Sequence, residues 1–74
     1  MTTMVKTKSG SSYFFTEYEG TLRLLHGVTE YLVLEVTTLK LGERMVIRAR
    51  PFDSQYRLGE EEILIETTQV VSVK

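Results

Sequence analysis

The sequence contains no cysteine and no tryptophan, and it has only one proline and one histidine. Without cysteine, the chain can form neither disulfides nor thiolate metal sites. The single histidine, His26, has no further nitrogen or sulfur ligands with which to complete a zinc site of three or four ligands. No apolar run approaches the roughly 18 residues of a membrane-spanning helix. The sequence therefore predicts no metal, no cofactor and no membrane span.

Groups that could perform catalysis are also few. General acid–base or nucleophilic catalysis needs a positioned base, most often a histidine or a perturbed carboxylate. His26 is predicted to lie in an exposed loop beside Gly27, where a histidine without a catalytic role is the simpler interpretation. Glu60, Glu61 and Glu62 lack the ligand spacing of a calcium loop, so we expect them to cap a turn and keep a strand end soluble. The sequence predicts neither an enzyme nor a small-molecule substrate.

Length and charge narrow the class of protein further. Its 74 residues allow one small β domain, 1–74, and a chain this short buries only roughly 60% of its unfolded surface. Oligomerisation would add buried area.

The net charge of −1 and the pI near 5.8 provide no overall cationic excess for binding nucleic acid, so such binding would need a local patch. The lysines near the start precede no apolar segment, which predicts no secretory signal and a cytoplasmic location.

Apolar and polar residues alternate along much of the chain, as they do in half-buried β-strands. This pattern predicts strands at 5–8, 13–18, 21–25, 31–38, 44–50, 62–68 and 70–73. Glycine-containing turns separate several of them, at 9–12, 19–20, 26–27 and 39–43. The segment 22–31 and the residues after Pro51 could each hold one helical turn at most. The predicted fold class is all-β, a small barrel or sandwich of five to seven short, mostly antiparallel strands.

Because side chains alternate across a sheet, the pattern also assigns each side chain to a face. In the 31–38 strand, the predicted core side chains are Leu32, Leu34 and Val36, and the outward ones are Tyr31, Val33, Glu35 and Thr37. In the 44–50 strand, the predicted core side chains are Met45, Ile47 and Ala49, and the outward ones are Arg44, Val46, Arg48 and Arg50. The 13–18 strand is aromatic on both faces, so no inward face is assigned there. Pro51 has no amide hydrogen and is expected to end its strand's hydrogen-bond ladder.

The segment 44–57 is the most distinctive in charge, and it supplies all the candidate partner-binding residues: Arg44, Arg48, Arg50, Phe52, Tyr56 and Arg57. Guanidinium groups about 7 Å apart along a strand suit a phosphate backbone or an acidic protein surface. The flanking aromatic rings could stack on bases. The structural alternative is that the arginines pair with carboxylates across their own sheet, for which Glu35, Glu62 and Glu66 are placed.

A second feature is the apolar side chains that the alternation places on the outward face, namely Tyr31, Val33, Val46 and Leu64. A small barrel should not leave that much apolar surface in water, so either its own loops or another protein would cover it. Unpaired strand edges offer a further docking mode by strand addition. The leading hypothesis is a non-catalytic module that binds a protein partner or itself. The alternative is a nucleic-acid-binding barrel that uses the arginine-rich face.

Three segments carry a resemblance: "VKTKSGSSY" near the start, "LGERMVI" in the middle and "ETTQVVSV" at the end. Together they cover roughly half of the chain, and they resemble a loose set of short all-β proteins of actinobacteria and their phages. The resemblance implies no catalytic or ligand-binding residues. It implies a phage or prophage origin, which agrees with a small, cysteine-free interaction module.

Overall fold

A computed structural model describes residues 2–37 and 39–74. These residues form six strands: β1 (Thr2–Thr7), β2 (Ser12–Tyr18), β3 (Thr21–His26), β4 (Thr29–Val36), β5 (Arg44–Pro51) and β6 (Ile63–Val73). Each strand pairs antiparallel with its neighbours in sequence, and β6 returns to pair with β1, so the sheet closes into a barrel. The predicted all-β fold is confirmed, and its architecture is the barrel rather than the sandwich.

Two-residue turns connect the strands from β2 to β4. Glu19 and Gly20 have φ angles of 50° and 77°, and positive φ at both central positions is the signature of the type I′ hairpin turn. Gly27, at φ 63°, begins the next turn, and the pairing of His26 with Thr29 flanks it. The prediction that 22–31 could hold a helical turn is therefore wrong, because a two-residue turn makes this segment a hairpin.

The last strand is longer than predicted. Two strands at 62–68 and 70–73 were expected, but β6 runs without a break from Ile63 to Val73 over 11 residues. Its first half pairs with β5 and its second half with β1, and the register shifts in both pairings. Such shifts bend a strand without ending it. One continuous strand can therefore follow the curve of the barrel and close it.

The core lies inside the barrel and, among residues 2–37 and 39–74, consists of eight buried apolar side chains: Val5, Tyr13, Phe15, Leu24, Met45, Ile47, Ala49 and Val70. Three of them are the inward residues predicted for β5, and that prediction is confirmed. Pro51 is the last residue of β5, as expected for a residue that cannot donate to the ladder. The inward face of β2, which the sequence left open, is the one that carries Tyr13 and Phe15.

The prediction for β4 was wrong in its first half. Tyr31, Val33 and Val36 pack against the core, whereas Leu34 is 39% exposed. The register with β5 shifts between Val33 and Glu35, so Leu34 is an extra residue in a β-bulge. A bulge exchanges the two faces of a strand beyond it, which is why only Val36 of the predicted core residues faces inward. Thr38, the end of the predicted strand, lies outside the described residues.

Closure of the barrel changes two expectations about partner binding. Every strand has two hydrogen-bonded neighbours, so strand addition to a free edge was a wrong expectation. The outward apolar residues of β4 are also different from those expected, because Tyr31 and Val33 belong to the interior while Leu32 and Leu34 face outward. Val46 does lie outside and is half-buried, and Leu64 lies outside with 66% of its surface exposed.

Candidate functional site

The aromatic residues divide between the inside and the outside of the barrel. The chain has four tyrosines and three phenylalanines, of which Tyr13, Phe15 and Tyr31 pack in the interior. The remaining four lie outside it: Phe14, Tyr18, Phe52 and Tyr56. Tyr18 is 56% exposed and Tyr56 is 74% exposed. Phe14 is also exposed and Phe52 is half-buried, so these rings form the candidate contact surface of the molecule.

The loop after β5 lies against the outside of the sheet. The backbone N–H of Phe52 donates to the carbonyl of Glu30 at 2.9 Å, and Phe52 also forms an isolated bridge with Leu58. These bonds place the residues between 52 and 58 beside β4. The segment after Pro51 therefore holds a turn rather than the helical turn that the sequence allowed.

Asp53 organises the tip of this loop. Its Oδ1 accepts hydrogen bonds from the backbone N–H groups of Gln55 and Arg57, both at 2.8 Å, and its Oδ2 accepts one from Arg57 Nε at 3.0 Å. The backbone N–H of Arg57, with that of Gln55, lowers the pKa of Asp53 below its ordinary value. Tyr56 takes a left-handed conformation, with φ 59°. The compact turn thus holds Tyr56 at a set position over the sheet.

Arg23 lies at the centre of this region. It is on the outward face of β3, between Leu22 and Leu24, which face the core. The guanidinium carbon of Arg23 is 5.0 Å from the ring centre of Phe52 and 5.6 Å from that of Tyr18. Both distances are within the range of a cation–π contact. The cation is therefore held between a ring on a strand and a ring on the loop.

The polar contacts of Arg23 are incomplete. Its Nη1 donates to Glu30 Oε1 at 3.3 Å, and both side chains are partly buried. Its Nε is buried and has no acceptor among the described residues. A buried donor without an acceptor lowers the stability of the folded state by about 1–3 kcal/mol. Most buried polar groups are therefore hydrogen-bonded, and this N–H group is an exception to that rule. Nη2 also has no acceptor among the described residues, and because it is not enclosed it is the donor that a bound group can reach.

An open groove of about 450 Å³ lies beside the Arg23–Glu30 pair. Seven residues line it: Thr16, Tyr18, Arg23, Leu24, Leu25, Glu30 and Tyr56. Its volume is within the range of ordinary ligand sites, and its mixture of aromatic, aliphatic and paired charged side chains is typical of them. We call this the Arg23 groove. Its walls come from β2, β3, β4 and the loop after β5.

Two of the predicted arginines are paired with carboxylates of their own chain. Arg48 Nη1 lies 3.1 Å from Glu62 Oε2, and Arg48 Nη2 lies 3.7 Å from Glu35 Oε2. The hydrogen bond to Glu62 raises the pKa of Arg48. Arg57 pairs with Asp53 within the loop. The sequence proposed three carboxylates as cross-strand partners of the arginines. Glu35 and Glu62 are confirmed as partners of Arg48, whereas Glu66 lies opposite Val46.

The other predicted residues lie in two places. Arg44 is exposed at the start of β5, opposite Gln69. Arg50 Nε donates to the carbonyl of Gly59 at 2.6 Å, and the register Arg23–Leu32–Arg50 places it in the same outward row as Arg23. Tyr56 lines the Arg23 groove, and the ring of Phe52 lies against the Arg23 guanidinium. The structure thus brings Arg50, Phe52 and Tyr56 into one region and leaves Arg44 and Arg48 outside it.

The sequence interpretation missed Tyr18, Arg23 and Glu30. The one available signal was Arg23 itself, the only charged residue in "TLRLL", which alternation places on the outward face. We call Tyr18, Arg23, Arg50, Phe52 and Tyr56 together the aromatic–arginine face. Its members come from three separate stretches of the sequence, at 18, 23 and 50–56, so no single stretch displays it.

His26 is not the exposed loop residue that the sequence predicted. It is the last residue of β3 and is half-buried. Its ring stacks on that of Tyr13, with centroids 4.2 Å apart and planes at 11°. Its Nδ1 lies 3.0 Å from the carbonyl oxygen of Ser12. Two-residue turns let strands continue almost to the tip of a hairpin, and this brings the imidazole into packing contact with the sheet.

The described residues contain no group of three or more histidine, cysteine, aspartate or glutamate side chains arranged to hold a metal ion. Within the same residues, no helix has the length and apolar character needed to cross a membrane. Comparison with protein-family models, with curated proteins and with solved structures gives no match. The functional interpretation therefore depends on the geometry of the aromatic–arginine face.

Proposed function

We propose that this protein is a non-catalytic interaction module that binds a segment of another protein at its aromatic–arginine face. The observation that carries the proposal is the position of Arg23, held between the rings of Tyr18 and Phe52 beside an open groove. Tyrosine and arginine are the residue types that most often dominate the energy of protein interfaces, together with tryptophan. The phage origin implied by the resemblance agrees with such a module.

The rigidity of the surface favours binding. Strands β2, β3 and β4 belong to a closed barrel, and Asp53 holds the loop with three hydrogen bonds. A surface that is ordered before binding loses little conformational entropy when a partner arrives. A ligand would therefore meet aromatic walls that are already in place.

Charge favours a protein segment over a nucleic acid. A phosphate backbone presents one negative charge per nucleotide, and affinity for it comes from several cationic contacts at once. Arg48 and Arg57 are engaged by carboxylates, and Glu30 lies beside Arg23. The surface that remains suits a ligand with little charge better than it suits a polyanion. A nucleic-acid binder would show a mobility shift at low salt that weakens with Arg48→Glu; we expect no shift with single- or double-stranded probes.

Selection from a library of random dodecapeptides displayed on phage tests the proposal. We expect a related set of peptides to be enriched, and we expect Tyr56→Ser to weaken their binding by roughly tenfold or more, because it removes a central aromatic contact. Leu64→Ser is the matched control, since Leu64 is 66% exposed but lies on β6, away from the groove. Failure to enrich any peptide, or equal losses in both variants, would count against the proposal.

The partner could also be a second copy of the chain, and the oligomeric state separates this form of the proposal from the first. Sedimentation equilibrium over a range of concentrations is run for the parent chain and for Tyr56→Ser. A monomer throughout agrees with binding to another protein. A dimer that Tyr56→Ser dissociates identifies the second copy as the occupant of the face. A dimer that Tyr56→Ser leaves intact would place self-association elsewhere on the barrel.

A further inference from the structure

We infer that the Arg23 groove recognises a carboxylate side chain of the partner, an aspartate or a glutamate that lies next to an apolar residue. This inference rests on the proposed function and names the ligand chemistry of the same site. The carboxylate would accept hydrogen bonds from the Arg23 guanidinium. The neighbouring apolar side chain would pack between Tyr18 and Tyr56, which line the groove.

The first support is the incomplete hydrogen bonding of Arg23. An arginine side chain has five N–H groups, and the only acceptor for them among the described residues is Glu30, at 3.3 Å from Nη1. Nε is buried without an acceptor. Nη2 also has no acceptor among the described residues, and unlike Nε it is not enclosed. A carboxylate can therefore engage the outer edge formed by Nη1 and Nη2 with two parallel hydrogen bonds.

The second support is the orientation of the guanidinium. Its carbon lies 5.0 Å from the ring centre of Phe52 and 5.6 Å from that of Tyr18. Two aromatic contacts and the bond to Glu30 restrict a side chain that is otherwise flexible. The planar guanidinium matches the geometry of a carboxylate. When its orientation is fixed, paired hydrogen bonds to one carboxylate are favoured over a purely electrostatic attraction.

The third support is the local balance of charge. Glu30 compensates Arg23, but Arg50, which lies in the same outward row, donates to a backbone carbonyl. Arg50 has no carboxylate partner within residues 2–37 and 39–74. The two guanidiniums and the one carboxylate therefore leave a single positive charge. One acidic side chain balances it, whereas a phosphate chain would bring several charges.

The test compares acid and amide forms of the same ligand. The tightest peptide from the library is synthesised with an amidated C-terminus, and so is its analogue with Asp→Asn or Glu→Gln at each acidic position. Binding is measured by fluorescence polarisation. We expect one such replacement to weaken binding by about tenfold or more, the loss that accompanies removal of hydrogen bonds between charged groups. The amidated terminus ensures that a chain-end carboxylate cannot contribute.

The variants Arg23→Gln and Arg48→Gln assign the contact to a residue. With Arg23→Gln, the acid and amide peptides should bind equally, and with Arg48→Gln the preference for the acid should be unchanged, since Arg48 is paired with Glu62. Arg23→Lys retains the charge but not the planar fork, so it should retain only part of the preference. Thermal melts of each variant confirm that the barrel is folded.

Each outcome decides a separate point. Peptides that bind at the face but contain no required acid would overturn the carboxylate inference and leave the proposed function in place. A preference for the acid that survives Arg23→Gln would also overturn the inference. Absence of any binding that depends on Tyr56 would instead refute the proposed function, and the inference would fall with it.

Discussion

The bulge at Leu34 makes a sharp prediction, because it reverses the two faces of β4 relative to simple alternation. Val33 packs against the core, whereas Leu34 is 39% exposed. We therefore expect Val33→Asp to be far more destabilising than Leu34→Asp. Alternation counted back from the inward Val36 without a bulge predicts the opposite order. The same residue is introduced at two consecutive positions, so the comparison isolates the effect of the face.

The magnitude follows from the two environments. A carboxyl at position 33 must lose water or become protonated, which costs roughly 2–4 kcal/mol when no partner is available. At position 34 the carboxyl stays in water, and surface substitutions usually change the free energy of unfolding by about 0.5 kcal/mol or less. The low strand preference of aspartate can raise that loss to roughly 1 kcal/mol. A domain of this size has a free energy of unfolding of about 4–11 kcal/mol. Val33→Asp therefore loses a large share of the free energy of unfolding.

The assay is thermal and urea unfolding followed by circular dichroism. For domains of this size, about 1 kcal/mol shifts the melting temperature by roughly 4–8 °C, so Val33→Asp should lower it by about 10 °C or more. The pKa of its introduced carboxyl should be raised in the folded state. The destabilisation should therefore shrink as the pH falls through that pKa. A larger loss for Leu34→Asp than for Val33→Asp would refute the bulge.

Three further predictions concern the core, a turn and the loop. Ile47→Ala should lower the free energy of unfolding in urea by about 2–5 kcal/mol, because Ile47 is fully buried and its loss leaves a cavity; a loss below that range would mean that the barrel is loosely packed. Gly20→Ala should lower the melting temperature by roughly 4–8 °C, because alanine at φ 77° is strained by about 1 kcal/mol; an unchanged melting temperature would contradict the type I′ turn. The lowered pKa of Asp53 means that its hydrogen bonds stabilise the loop above the ordinary aspartate pKa and are lost as the pH falls through the lowered value. The protection of the Gln55 and Arg57 amides, relative to their intrinsic hydrogen-exchange rates at each pH, should fall over that acidic interval, and Asp53→Asn should remove this dependence. Constant protection across the interval in the parent chain would contradict the contacts.

Local alternation was a reliable guide where a strand follows it without interruption. Met45, Ile47 and Ala49 were predicted to face inward, and all three are buried. Arginine at alternate positions made the outward face of that strand easy to recognise. The cross-strand partners Glu35 and Glu62 followed from the same reasoning, because opposite charges tend to pair across adjacent strands.

Alternation failed in β4 because nearly every residue between Tyr31 and Val36 is apolar. Such a run does not show which residue is the extra one in a bulge. The partner strand decides it: Glu35 pairs with Arg48, and Val33 pairs with Ala49, which leaves Leu34 without a position in the ladder. The length of β6 was also decided by its partner strands and not by its own sequence pattern, because its two halves pair with β5 and β1.

The candidate site was recognised only in part for a related reason. Phe52 and Tyr56 were predicted as contact residues because they belong to an unusual loop. Tyr18 and Arg23 belong to an ordinary hairpin, and nothing in that hairpin indicates that the loop will fold over it. Closure of the barrel and the hydrogen bond from Phe52 to Glu30 are what bring the two segments together.

From the order of its residues alone, this chain is an antiparallel β protein whose turns and inward side chains are largely set by neighbours a few positions apart. Such preferences are local because backbone dihedral angles and side-chain alternation depend on nearby atoms. Which strands meet, where one residue bulges out, and which rings enclose Arg23 depend on contacts between distant segments. Those contacts exist only once the sheet has closed, and the surface proposed here for binding is among their products.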